Sequence, residues 1–156
     1  MSGKIVLPKP FPQLFRNLLA LIAGVALGGA VNTALIMLGP TLIPPPAGVD
    51  VNNAESLARG IHLFEARHFV MPFLAHALGT LLGALVAFLI AASHKPRWAF
   101  CVGFFFLCGG VAASFMIPAP AWFITIDLGL AYLPMAWLGI QLGTPLTEWI
   151  HGVWKR

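Results

Sequence analysis

Four long apolar runs dominate this sequence and limit the folds that are open to it. They cover about residues 18–38, 69–92, 98–117 and 121–142. Each run has close to the roughly 20 residues with which an α-helix crosses the hydrocarbon core of a bilayer. Lipid tails solvate apolar faces on every side of such a helix. The sequence therefore predicts an all-α integral membrane protein with four transmembrane helices.

The composition excludes a soluble globular protein. Of the 156 residues, 59% are hydrophobic and 9% are charged, whereas soluble domains average about 25% charged residues. A chain of this length could not bury so much apolar surface within itself. No linker divides the sequence, so we predict a single transmembrane domain over residues 1–156.

The positive net charge, +4, does not indicate a nucleic-acid-binding protein. Such proteins gather Lys and Arg into one accessible patch. Here the basic residues lie at the ends of the apolar runs, where they orient a chain in a membrane. The expected partner is the lipid bilayer, and membership of a homo-oligomer or of a larger membrane complex stays open.

The distribution of Lys and Arg predicts the orientation of the four spans. One side of the membrane has only Arg59 and Arg67. The other side has seven basic residues, which are Lys4, Lys9, Arg16, Lys95, Arg97, Lys155 and Arg156. Because loops rich in Lys and Arg stay in the cytoplasm, we expect both termini inside and the 47–67 loop outside. This topology is that of a multi-pass protein of the bacterial inner membrane.

Two short helices are expected to lie on the membrane surface. In the outer loop, Asn52 followed by Glu55 resembles a capping box and predicts a helix near residues 53–59. At the carboxyl end, Thr144 and Pro145 can begin a second amphipathic helix after Gly143. Its apolar face would comprise Leu146, Trp149, Ile150 and Val153. Within the fourth span, Pro134 predicts a kink.

Three polar residues on three spans lie at one depth. Counted from the ends of the apolar runs at 1.5 Å per residue, Asn32, His76 and Asp127 are all roughly 9–10 Å below the outer boundary. Further candidates for the same site are the slightly shallower Ser114 and the slightly deeper Thr80 and Tyr132. Polar residues inside a membrane are costly and are often functional, so this level is the candidate binding or proton-relay site.

Asp127 is the only acidic residue inside the four runs. An unpaired carboxylate there would be costly, and His76 is the nearest partner by depth. An Asp–His pair can share or pass a proton near neutral pH. The alternative is a purely structural role, in which an Asn–His–Asp hydrogen-bond cluster holds the helices in register.

Small residues recur every four positions and predict close helix packing. The second span carries the stripe Ala75, Gly79, Gly83, Ala87 and Ala91. The first span carries Gly24 and Gly28 with the same spacing. Such spacing lets two helix backbones approach each other closely. The pattern leaves open whether the contact lies within one chain or between chains.

Metal-binding and enzyme motifs are weak in this sequence. His62, Glu65 and His68 lie near the outer surface, but positions i and i+6 of a helix diverge by about 120° and fit one ion poorly. The helical zinc motif has two His four residues apart. No phosphate-binding loop or nucleophile elbow occurs. We expect no metal or other cofactor, and we do not predict an enzyme.

The short four-span chain, with Pro-Phe-Leu-Ala-His-Ala-Leu-Gly-Thr opening its second span at residues 72–80, resembles small membrane proteins of bacteria. The span count is similar to that of small multidrug transporters, which carry a membrane-embedded Glu in the first helix where this chain has Asn32. The leading hypothesis is an outward-facing polar pocket around Asp127 and His76 that binds a small solute, an ion or a proton. The alternatives are an accessory or scaffold subunit of a membrane complex and an enzyme that acts on a lipid-like substrate through the outer histidines.

Overall fold

Helices make up most of the structure. The computed structural model describes the backbone of residues 10–153 and the side chains of residues 12–149 and 153. No strand occurs in this range, which confirms the all-α prediction. The α-helices are α1 (Pro10–Leu42), α2 (Ala54–Gly60), α3 (Val70–Ile90), α4 (Lys95–Met116), α5 (Ala121–Leu130) and α6 (Leu133–Val153). Two 3-10 turns, Ile61–Leu63 and Ala66–Phe69, connect α2 to α3.

Four helical segments are long and apolar enough to cross a membrane, as the sequence predicts. They are Pro12–Leu42, Ala66–Ile90, Lys95–Met116 and Ala121–Trp149. The structure does not test their orientation, so the cytoplasmic position of both termini stays a prediction. Four of the basic residues behind that prediction, Lys4, Lys9, Lys155 and Arg156, lie outside the described residues.

The first helix is longer than its apolar run. Its 33 residues correspond to about 50 Å, which exceeds a hydrocarbon core of about 30 Å. Pro40 lies inside the last turn instead of ending the helix. The Thr41 hydroxyl donates to the Leu38 carbonyl at 2.6 Å, so a side chain satisfies one of the last carbonyls of the helix.

The fourth span is broken into α5 and α6. Ala131 and Tyr132 separate the two helices. The break precedes Pro134 by two residues, where the sequence predicts a kink. Because Pro134 has no N–H, the Leu130 carbonyl four residues earlier lacks its intrahelical donor. The proline thus accounts for the position of the break.

The carboxyl-terminal segment differs from its prediction. We expected a separate interfacial helix after Gly143, but α6 continues through Pro145 to Val153. The Thr144 hydroxyl donates to Ile140 and the Thr147 hydroxyl to Gly143, at 2.9 and 2.8 Å, which adds side-chain bonds on both sides of the proline. Prolines are tolerated in membrane helices where neighbouring hydroxyls satisfy the backbone.

The outer loop contains the short helix that the sequence predicts near residues 53–59. In the structure it is α2, and its cap is Asn53 rather than Asn52. The Asn53 side chain accepts a hydrogen bond of 2.9 Å from the Ser56 N–H. The loop then packs onto the bundle through Ile61 and Phe69, which contact Phe123 of α5. This apolar contact, the outer cluster, covers one end of the bundle.

Helix α3 lies at the centre of the bundle, in contact with α1, α4, α5 and α6. Its small-residue stripe faces α1 of the same chain. A Cβ atom on Gly24 would lie 2.6 Å from the Gly83 carbonyl oxygen, and one on Gly28 would lie 2.6 Å from the Gly79 carbonyl oxygen. Only glycine permits this approach, so the stripe sets the distance between α1 and α3.

Candidate functional site

Asp127 and His76 form the centre of the candidate site. The Asp127 side chain is 6% exposed, and His76 Nδ1 lies 2.8 Å from Oδ1 and 3.0 Å from Oδ2 of its carboxylate. Asp127 also accepts a hydrogen bond of 3.0 Å at Oδ2 from the Tyr132 hydroxyl. We call these three residues the triad.

Each member of the triad comes from a different structural segment. His76 lies on α3 and Asp127 on α5, while Tyr132 lies in the break between α5 and α6. The rings of His76 and Tyr132 stack with centroids 5.7 Å apart and an interplanar angle of 28°. The break turns Tyr132, which is 2% exposed, toward both partners. A continuous helix would place residue 132 about 140° around the axis from residue 127.

The proton between His76 and Asp127 has two possible positions. An ionised carboxylate only accepts, in which case His76 carries the proton on Nδ1 and donates it. A protonated carboxyl group can donate instead, and Nδ1 then accepts. The heavy-atom distances of 2.8 and 3.0 Å fit both arrangements. The pair can therefore exchange one proton without a change in backbone.

A glycine on α4 makes room for the tyrosine. A Cβ atom on Gly110 would collide with the Tyr132 hydroxyl and ring. Any side chain at this position would displace the hydroxyl from Asp127. The sequence did not predict this role of Gly110, and the only indication of it is the Gly109-Gly110 pair on α4.

The triad lies among apolar side chains. Tyr132 packs in a buried cluster with Ala77 and Ala131, flanked by five larger side chains. These are Phe73, Phe106, Leu107, Leu128 and Met135. Phe73 also contacts the outer cluster, which continues the apolar layer from the triad to the outer loop. In such surroundings Asp127 depends on its hydrogen bonds to His76 and Tyr132 rather than on solvent.

Neither Asn32 nor Ser114 is hydrogen-bonded to the triad. Asn32 packs against α3 at Gly79, where a Cβ atom would lie 3.1 Å from the Asn32 Cβ. Ser114 donates to the Val111 carbonyl of its own helix at 2.7 Å. Thr80 lies one turn along α3 from His76, is 1% exposed, and its hydroxyl has no hydrogen-bond partner.

The outer histidines and Glu65 have other contacts. The Glu65 N–H donates to His68 Nδ1 at 2.9 Å, and the Glu65 carboxylate pairs with Arg67 at 3.0 Å. His62 is exposed. Within residues 10–153 no group of three His, Cys, Asp or Glu side chains is placed to hold a metal ion.

Asn17, another buried polar residue, was not predicted. It is 5% exposed on α1. Its Oδ1 accepts from the Ala92 N–H at 2.8 Å and its Nδ2 donates to the Ser93 hydroxyl at 3.0 Å. It thus fixes the turn between α3 and α4 to α1. The sequence signal is a lone amide just before the first apolar run.

Comparison with known proteins identifies no relative of this chain. No protein-family model matches the chain, and neither a curated protein nor a solved structure does so. The functional argument therefore rests on the geometry of the site.

Proposed function

We propose that this membrane protein binds and releases a proton at the triad of His76, Asp127 and Tyr132. The observation that carries the proposal is the contact of His76 Nδ1 with both carboxylate oxygens of Asp127, at 2.8 and 3.0 Å. Asp127 is the only buried acidic residue among those that the structure describes. Asp–His pairs within membranes are typical of proton relays.

The closed geometry favours a proton over a larger ligand. Asp127 is 4% exposed as a whole residue. Both of its oxygens are already hydrogen-bonded to His76 or Tyr132. A solute would have to break these bonds and displace the apolar side chains around them. A proton needs only a small movement between Nδ1 and the carboxylate.

His76 gives the site a connection to its surroundings. Its side chain is 23% exposed, whereas that of Asp127 is 6% exposed. With Nδ1 directed at Asp127, Nε2 is the nitrogen that remains to exchange a proton. We infer that protons enter and leave through His76, while Asp127 holds the ring at Nδ1 and Tyr132 holds the carboxyl group of Asp127.

A scaffold role is the second candidate, because the same contacts join α3, α5 and the break before α6. An interhelical hydrogen bond stabilises a membrane bundle by about 0.6–2 kcal/mol. In this reading the proton never moves, and the protein is an accessory subunit of a membrane complex. No observation favours the third hypothesis, an enzyme using the outer histidines, since His68 is bonded within its own turn.

The cellular setting of the proposal follows from the charge distribution. The excess of Lys and Arg on one side supports a multi-pass protein of the bacterial inner membrane with both termini inside. The triad would then lie nearer the outer face. Assembly into a homo-oligomer or a larger complex is compatible with this proposal and is not required by it.

NMR spectroscopy of protein labelled with nitrogen-15 in its histidines tests the proposal. The signals of His76 are assigned by their loss in H76Q. We expect them to change when the pH is varied, as the proposal requires. In D127N this change should differ, because the variant keeps the hydrogen-bonding shape but lacks the carboxyl group. The signals of the exposed His62 should be the same in both proteins.

Two results would contradict a proton-binding site. One is a His76 signal that does not change with pH. The other is an identical response in the wild type and in a folded D127N protein. Either result would favour the scaffold role. In that case D127N should be as stable as the wild type, and any effect of the protein in cells should be unchanged. The conservative variant E148Q removes an exposed carboxylate elsewhere and serves as the matched control.

A further inference from the structure

Two adjoining cavities form a groove between α1 and α4. The first, of about 450 Å³, has a mostly apolar surface, to which Asn17, Ser93 and Arg97 add polar and basic groups. The second, of about 620 Å³, has an apolar lining that includes Leu21 and Phe104. Cys101 lines both, so the two cavities adjoin. The groove has basic and polar side chains at one end, the polar end, and only an apolar lining at the other, the apolar end.

The length of the groove is that of one leaflet of a bilayer. On α4 the lining runs from Arg97 to Cys108. Eleven helical residues correspond to about 16 Å. Half of a hydrocarbon core of about 30 Å is close to this length. The apolar end thus reaches the middle of the membrane, where an acyl chain from the adjacent leaflet would end.

The polar end carries unopposed positive charge. Arg97 lies there exposed, and the ion pairs among the described residues involve Arg59, Arg67 and His76 instead. Two further basic side chains lie beside the same turn. Arg16 donates to the Ile90 carbonyl at 2.7 Å, and Lys95 donates to the Phe88 carbonyl at 3.2 Å. Such a cluster at a membrane boundary attracts anionic headgroups.

The wall of the polar end is fixed in place. Asn17 is buried, and its hydrogen bonds to Ala92 and Ser93 hold α1 against the turn before α4. Trp98 lines the same end of the groove, at the depth where indole rings anchor a protein at the membrane interface. Hydrogen bonds within the chain therefore hold this wall of the groove.

We propose that this groove binds one anionic phospholipid. Its phosphate accepts hydrogen bonds from the Arg97 guanidinium, whose planar donors match phosphate oxygens. One acyl chain lies in the apolar part of the groove, along α1 and α4 beyond Cys101. This site is separate from the triad and does not depend on the proposed function.

Native mass spectrometry of the full chain in detergent tests this proposal. The protein is mixed with equal amounts of phosphatidylglycerol and phosphatidylcholine that carry identical acyl chains. We expect one retained phosphatidylglycerol per protein. R97Q should reduce that preference about fivefold, the effect of one basic residue near a membrane surface. R59Q removes a charge from the outer loop and should leave the preference unchanged.

A second pair of variants tests the apolar part. Ala26 lines the groove, whereas Ala30 is exposed one turn further along α1 and does not line it. A26F should reduce retention of the lipid severalfold, and A30F should not. Three results would overturn the proposal. The first is equal retention of both lipids, the second is a loss of preference with R59Q as large as with R97Q, and the third is unchanged lipid retention in A26F. Displacement of the lipid by inorganic phosphate alone, or a dimer with no bound lipid, would also overturn it.

Discussion

Tyr132 lies in the break between α5 and α6, and its hydroxyl donates a hydrogen bond of 3.0 Å to Oδ2 of Asp127. The bond joins a residue of the break to the helix that precedes it, five positions earlier. The irregular backbone and the buried carboxylate therefore stabilise each other. Broken helices at membrane depth occur where they are buried in protein or line a functional cavity.

Replacement of Tyr132 by Phe is expected to destabilise the protein. The variant keeps the ring that stacks on His76 but removes one of the donors to Asp127. A hydrogen bond to a charged group contributes about 1.5–3 kcal/mol. We expect a loss of this size in the free energy of unfolding, measured by titration with a denaturing detergent.

The same substitution in a D127N background is its control. If the hydroxyl acts through the carboxylate charge, the loss caused by Y132F should be clearly smaller there. An equal loss in both backgrounds would mean that Tyr132 stabilises the break through contacts other than Asp127.

The close approach of α1 and α3 gives a prediction for Gly83. A Cβ atom there would lie 2.6 Å from the Gly24 carbonyl oxygen, so G83A must push two backbones apart. Overpacking of this kind costs about 1–3 kcal/mol. Gly29 lies on α1, as Gly24 does, but no neighbouring atom lies within 4 Å of its Cβ position. G29A is therefore the matched control and should be neutral or slightly stabilising. Similar losses in thermal stability would show that the stripe is not a critical contact.

The sequence predicts the pairing of His76 with Asp127 but not the neighbour of Asn32. Counting residues from the ends of the apolar runs places His76, Asp127 and Asn32 at one depth, and the structure joins the first two. Asn32 instead packs against Gly79. Depth along a helix follows from a fixed rise per residue. Which neighbour a residue faces depends on how the helices are arranged around one another, and that is not contained in a single helical pattern.

Packing contacts outside a repeating stripe were also not predictable. Gly103 belongs to no four-residue pattern, yet a Cβ atom there would lie 2.6 Å from the Ala136 Cβ of α6. An isolated glycine in an apolar run is equally compatible with a lipid-facing position such as Gly109. The sequence also did not predict that α6 continues through Pro145. The Thr144 hydroxyl donates to the Ile140 carbonyl of the same helix instead of capping a new one.

Labelling of single cysteines tests the predicted topology. In a background with Cys101 and Cys108 replaced by Ala, a cysteine at Ala47 should react with an impermeant maleimide added to intact cells. One at His94, in the turn between α3 and α4, should react only after the cells are opened. Both positions are exposed. The opposite pattern would show that the side richer in Lys and Arg faces outward.

The last prediction concerns Thr80, whose buried hydroxyl has no hydrogen-bond partner. An unsatisfied buried polar group costs about 1–3 kcal/mol, so T80V, which has the same shape, should raise the free energy of unfolding. Thr144 donates to Ile140 at 2.9 Å, and T144V should give no such gain. Both variants are compared by thermal unfolding in the same detergent. A clear loss of stability in T80V would instead show that the hydroxyl is bonded in the working protein, one turn from His76, and would add Thr80 to the triad.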